Sequence, residues 1–130
     1  MYKELIICII IVFSIFVLDY ISQSYTKKSV ETIMIKIEEI KEESEKIDKE
    51  DENKIISKMD DTFNIWNKHQ KILAIYIEHN ELEKVEANFV ECKSFIEQKD
   101  YVMAINSIDK TIFSLNHLTD KYSLNIINIF

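Results

Sequence analysis

Glycine and proline are absent from all 130 residues of this chain. Ordinary usage would supply roughly nine glycines and six or seven prolines. Glycine gives φ > 0 without a Cβ clash and proline fixes φ near −65°, so the usual builders of tight turns are missing. Sandwiches, barrels and meanders need a turn signal every 8–12 residues and are excluded on that ground. The P-loop and the dinucleotide fingerprint depend on glycine and are excluded with them. Arginine is absent too: all 16 basic residues are lysine, which removes the bidentate fork suited to phosphate and carboxylate. Two cysteines far apart, Cys8 and Cys92, offer no intrachain disulfide framework. An all-α chain with polar, non-glycine connections remains.

Charge is missing locally as well. Residues 5–18 read Leu-Ile-Ile-Cys-Ile-Ile-Ile-Val-Phe-Ser-Ile-Phe-Val-Leu, without one ionisable carboxylate or amine. As a helix this run rises about 21 Å, and extending it to Tyr2 and Ile21 gives about 30 Å, the thickness of a bilayer's hydrocarbon. Lys3, Glu4 and Asp19 then fall near the interfaces, with Tyr2 and Tyr20 as an aromatic belt. The rival reading is a cleaved signal peptide, but no A-x-A-like site follows the run. The expectation is an uncleaved single-pass anchor over residues 1–21, contacting the lipid bilayer through residues 2–21, and a separate domain over residues 22–130. The first 21 residues carry a net charge of −1, so the remainder carries −6. Such an acidic domain lacks the basic footprint that nucleic acid requires.

Beyond a polar neck at Ser22–Thr26, helical periodicity dominates. Val30, Ile33, Ile37, Ile40 and Ile47 follow 3–4 spacing with Ser44 as a polar gap, which predicts a helix continuous with the anchor. Between Lys36 and Lys54, 14 of 19 residues are charged, with supporting pairs such as Glu42 and Lys46. This reads as a solvated helix face, and Asp48–Asn53 as the next turn. A second helix carries Met59, Phe63, Trp66, Leu73 and Ile77 and is expected to end near His79-Asn80, with Asn80 capping the third. The third shows Leu82, Val85, Phe89, Cys92 and Ile96. After Lys99-Asp100, with Asp100 as cap, the fourth shows Tyr101, Ile105, Ile108, Ile112 and Leu115. Connections this short make successive helices antiparallel. The predicted architecture is an N-terminal transmembrane helix followed by an antiparallel bundle of about four helices. The apolar ending, Leu124 to Phe130, is expected to pack back on that bundle, or else to serve a partner.

Trp66, the stretch Ile77-Glu78-His79-Asn80-Glu81-Leu82, the turn Lys99-Asp100 and the ending Leu124-Asn125-Ile126-Ile127-Asn128-Ile129-Phe130 resemble a family of small bacterial proteins, "domain of unknown function 4363". The resemblance covers nearly the whole chain. It implies a membrane-tethered helical domain of low-GC bacteria, with the C-terminal domain outside the cytoplasm. It brings no catalytic residues with it. Asn80 stands where an acidic residue is usual in the family.

Reactive constellations are sparse. The histidines are His69, His79 and His117, and H-E-x-x-H does not occur. The residues three positions before them, Trp66, Tyr76 and Ser114, rule out the di-iron Glu-x-x-His pattern. His79 and Glu83 stand at i,i+4 with Glu78 and Glu81 nearby. A weak metal site is one reading of them and a capped, exposed helix junction the plainer one, so no metal or cofactor is assigned. Cys92 sits on a core seam and is expected to be inert. Trp66 and Phe63 share a face that is either core or one wall of a ligand pocket rimmed by Tyr76 and His79. The candidate ligand or partner site is therefore Trp66, Tyr76, His79 and Glu81. The functional expectation is a non-enzymatic, membrane-tethered interaction or structural protein of the bacterial envelope with a protein partner. A sensor-like domain with a small-molecule pocket near Trp66, Tyr76 and His79 is the alternative.

Overall fold

The computed structural model describes residues 1–46 and 52–122. Among these it holds four helices and no strand: α1 (Tyr2–Glu45), α2 (Glu52–Leu73), α3 (His79–Glu97) and α4 (Tyr101–Tyr122). Ile47, most of the Asp48–Asn53 turn and the apolar ending lie outside the described residues, whereas Glu52 and Asn53 already belong to α2.

With no helix breaker before its end, α1 runs unbroken for 44 residues, about 66 Å. Its two halves differ completely in environment. Residues 5–18 are exposed along their whole length, while Val30, Ile33, Ile37 and Ile40 are buried. The polar neck does not interrupt the helix, and Thr26 and Ser29 within or just beyond it are themselves buried. The Ser44 gap is filled by the residue's own backbone: its Oγ donates to Ile40 O at 2.7 Å.

The helices form a ring in which α1 packs on α2 and α4, and α3 on α2 and α4. Cross-helix pairs show that each neighbour runs antiparallel. Glu43 pairs with Lys58 while Ser29 meets His69; Asp60 pairs with Lys93 while Phe63 meets Phe89. Asn88 meets Ser114 while Glu81 meets Lys121, and Lys41 pairs with Asp109. These ion pairs are partly solvated and contribute little individually. Burial of the apolar stripes stabilises the bundle far more, by about 1.5–3 kcal/mol for each large side chain.

The core contains Ile55, Met59, Trp66 and Leu73 from α2 and the whole predicted seam of α3: Leu82, Val85, Phe89, Cys92 and Ile96. The α4 stripe is broader than its apolar pattern. Ala104, Ser107, Thr111 and Leu118 are buried beside Ile108 and Leu115, while Tyr101, Ile105 and Ile112 lie half-buried at the rim. A helix wedged between two neighbours buries more than one seam, and small residues let both approach.

The junctions depart from expectation at one place. Helix α2 ends at Leu73, not near His79, and a turn over residues 74–78 follows. The Ile77 amide still donates to Leu73 O at 2.8 Å, and Ile77 is buried without being helical. Asn80 lies inside the first turn of α3, and Glu78 occupies the N-cap position without a side-chain cap bond. Instead, the Glu78 amide donates to the Tyr122 hydroxyl at 3.1 Å, so α4 ties down this turn. At the second junction Asp100 caps α4 as expected, its Oδ1 accepting from the Met103 amide at 3.2 Å.

Candidate functional site

The four residues singled out from the sequence occupy different surroundings. Trp66 is fully buried in the core, and its indole N–H finds no acceptor among the described residues. Tyr76 lies half-buried on the turn after α2. His79 is exposed at the start of α3, with Nε2 at 2.8 Å from Glu83. Glu81, only 11% exposed in its side chain, faces α4. Among the described residues no group of three or more His, Cys, Asp or Glu side chains converges to hold a metal ion.

Tyr76 belongs to a polar cluster at the neck end of the bundle, where the apolar half of α1 departs. Its hydroxyl donates to Ser22 O at 3.1 Å and lies 2.7 Å from Thr26 Oγ1, which is also 2.8 Å from Ser22 O. Burial raises the phenol's pKa above its ordinary value, against the opposing hydrogen bond from Thr26. One turn further along α1, Tyr25 OH and Ser29 Oγ lie 2.9 and 3.0 Å from His69 Nδ1. With its proton on Nε2, the imidazole presents the single Nδ1 lone pair as an acceptor shared between the two hydroxyls. These bonds stitch α1 to α2 immediately above the apolar span. Sequence reasoning missed Tyr25, Thr26, Ser29 and His69, because a search for apolar periodicity passes over polar residues. Their signal was present: Ser22, Thr26 and Ser29 continue the 3–4 spacing of the α1 stripe backward.

Glu81 is the centre of a second cluster. Lys121 Nζ lies 3.4 Å from Oε1, Lys84 Nζ 3.7 Å from the same oxygen, and His117 Nε2 3.7 Å from Oε2. Burial alone would push the carboxyl up, but the Lys121 hydrogen bond and the surrounding cations hold it below the usual carboxylate range. The arrangement clamps α3 to α4. Cys92, the remaining nucleophile of the bundle, is buried, its Sγ 3.5 Å from Ala104 O, and desolvation pushes its thiol up to about 12. A neutral thiol without a thiolate form near neutrality is a poor nucleophile.

A groove of about 360 Å³ between α2 and α3 is floored by Met59, Phe63, Phe89 and Val90. The Lys93–Asp60 pair, at 2.7 Å, spans its rim. Neither Trp66 nor Tyr76 nor His79 lines it.

These features define a class: an antiparallel four-helix bundle whose first helix extends into an exposed apolar segment, long and apolar enough to cross a membrane. Comparison with protein families places it further. The family model for a domain of unknown function, DUF4363, matches residues 20–129, and the chain belongs to that family. No curated protein and no solved structure matches the chain.

Proposed function

We propose that this chain is a membrane-tethered helical bundle acting as a non-enzymatic interaction or structural protein of the bacterial envelope. One observation carries the reading. A single helix has one half built as bundle core and the other half exposing Leu5, Ile6, Ile9, Phe13, Phe16 and their neighbours on every side. A helix apolar all round needs an apolar medium, and exposing this much hydrocarbon to water is unfavourable by about 25 cal/mol per Å². The acidic bundle then stands in water at the bilayer surface, on the extracytoplasmic side. Its own polar clusters join helices to one another, which suits a scaffold. Trp66 lies wholly in the core and His79 is exposed, which favours this reading over a pocket shared by Trp66, Tyr76 and His79. Carbonate extraction combined with protease shaving of intact cells tests the reading. The full chain should stay in the membrane pellet and lose its bundle to external protease. Release into the supernatant would refute the tether, and protection of the bundle would refute its placement.

A further inference from the structure

One strip at the neck end of the bundle is both basic and apolar. Ile75, at the tip of the turn after α2, is 81% exposed, and Ile72 is 46% exposed. Lys68, Lys71, Ile72 and Ile75 stand at i, i+3, i+4 and i+7, so they form one strip along the outer face of α2 and its turn. Lys27 and Lys28 are exposed on α1 at the same end. Among the described residues, these four lysines take part in no ion pair, whereas Lys41, Lys58, Lys93, Lys110 and Lys121 all do. The acids beside them on α1 are Asp19, held by Gln23 Nε2 at 2.9 Å, and Glu31. From α3 and α4 the same end carries Glu78 and Glu81, paired with Lys121, Glu83, paired with His79, and Asp120. At the opposite end α1 carries Glu38, Glu39, Glu42, Glu43 and Glu45 against Lys36, Lys41 and Lys46, an acidic excess.

Height decides what this strip meets. The Tyr76 hydroxyl reaches the carbonyl of Ser22, and Tyr25 and Ser29 reach His69. The end of α2 and its turn are therefore level with residues 22–29 of α1. At 1.5 Å per residue, Ser22 to Thr26 lie about 5–10 Å beyond Asp19, where the uncharged run has ended. The headgroup layer on each side of the hydrocarbon is about 5–8 Å deep.

We propose that the strip Lys68, Lys71, Ile72 and Ile75, with Lys27 and Lys28, is a contact surface for anionic phospholipid headgroups, against which the bundle sits. This rests on the tether proposed above. Ile75 and Ile72 enter the interfacial layer, and the lysines meet lipid phosphates. The distant acidic end is repelled by the same surface, which orients the bundle upright. The strip is continuous with the span, so the lipid is at hand without a separate association step.

The test uses the full chain in proteoliposomes, with Cys8→Ser and Cys92→Ala and an environment-sensitive fluorophore on Ile75→Cys. A second protein carries the label on Val102→Cys, an exposed site at the far end. Flotation of the vesicles is checked first. With phosphatidylglycerol present, the label at 75 should be quenched by spin-labelled headgroups and the label at 102 should not. Each charge removed, Lys68→Gln or Lys71→Gln, should lower the docked-to-free ratio about fivefold. A floating protein whose two labels are equally open to water overturns the contact surface and leaves the tether standing. Equal quenching at 75 in purely zwitterionic vesicles overturns the role of the lysines. Failure to float defeats the tether, and the contact surface with it.

Discussion

Lys99 shows what a chain without glycine does at a helix end. It is the one non-glycine residue at positive φ among those described, at 60°. Its amide donates to Ile96 O at 3.0 Å, and the Asp100 amide to Phe95 O at 2.9 Å. These are the two bonds of a Schellman motif, with lysine at the position where glycine is usual. A Cβ in the left-handed region costs about 1–2 kcal/mol, partly offset because lysine loses less backbone entropy than glycine on folding. Lys99→Gly should therefore raise stability by about 0.5–1 kcal/mol, a few degrees in Tm. A thermal melt monitored by circular dichroism checks it, and a lower Tm would refute the account. Glu81 supplies a residue-level pH dependence. Its carboxyl titrates lower in the folded chain than in the unfolded one. Across that interval the unfolded chain binds more protons, so stability rises with pH. The contribution is complete above the ordinary carboxylate range and is lost as pH falls through the folded value. Glu81→Gln should be destabilising at pH 7 and converge on the parent chain in acid. Urea titrations at neutral and acidic pH give the comparison, and a gap independent of pH would count against the clamp.

Helix α4 shows where periodicity stops informing. Its apolar positions, Tyr101, Ile105, Ile108, Ile112 and Leu115, predict one seam, yet the buried face centres on Ala104, Ser107, Ile108 and Thr111. The seam of α3 was legible residue for residue because its buried face is wholly apolar. That of α4 was not, because small and polar side chains share its buried face: Thr111 is satisfied locally, its Oγ1 donating to Ser107 O at 2.8 Å. The same blindness hid Thr26, Ser29 and His69 at the neck, and with them most of the candidate site. Tyr76 and Glu81 could be singled out from the chain, but their partners on α1 and α4 could not, since pairings between residues so distant in sequence leave no local pattern. Ser107 yields a prediction. Its hydroxyl is buried without a partner among the described residues. Replacing an unsatisfied polar group by an apolar one of similar shape is neutral or favourable, so Ser107→Ala should leave stability unchanged or raise it by about 1 kcal/mol. Ser107→Leu should instead lower it by about 1–3 kcal/mol through overpacking against the neighbouring helices. Chemical denaturation separates the two, and a large loss from Ser107→Ala would mean that the hydroxyl is bonded after all.

At the scale of the whole molecule, α1 is both the apolar extension and one quarter of the bundle, and the boundary between these roles can be located. Residues before Ser22 make no contribution to the core, whereas Thr26, Ser29 and Val30 are buried in it. A chain beginning at Ser22 keeps every hydrogen bond to His69 and to Tyr76, and should fold cooperatively with the melting behaviour of the full chain in detergent. A chain beginning at Glu31 loses the Tyr25 and Ser29 bonds to His69, the Thr26 and Ser22 contacts of Tyr76 and the burial of Val30. At about 0.5–1.5 kcal/mol for each bond and about 1.5–3 kcal/mol for the valine, the second truncation should remove about 3.5–9 kcal/mol. Small domains hold only about 5–15 kcal/mol in all, so this shorter chain should be marginal or unfolded. Parallel melts of the two truncations decide the matter. Equal stability would show that the neck hydrogen bonds are dispensable to the bundle. Loss of folding in the longer one would mean that the apolar half of α1 stabilises the bundle as well as extending from it.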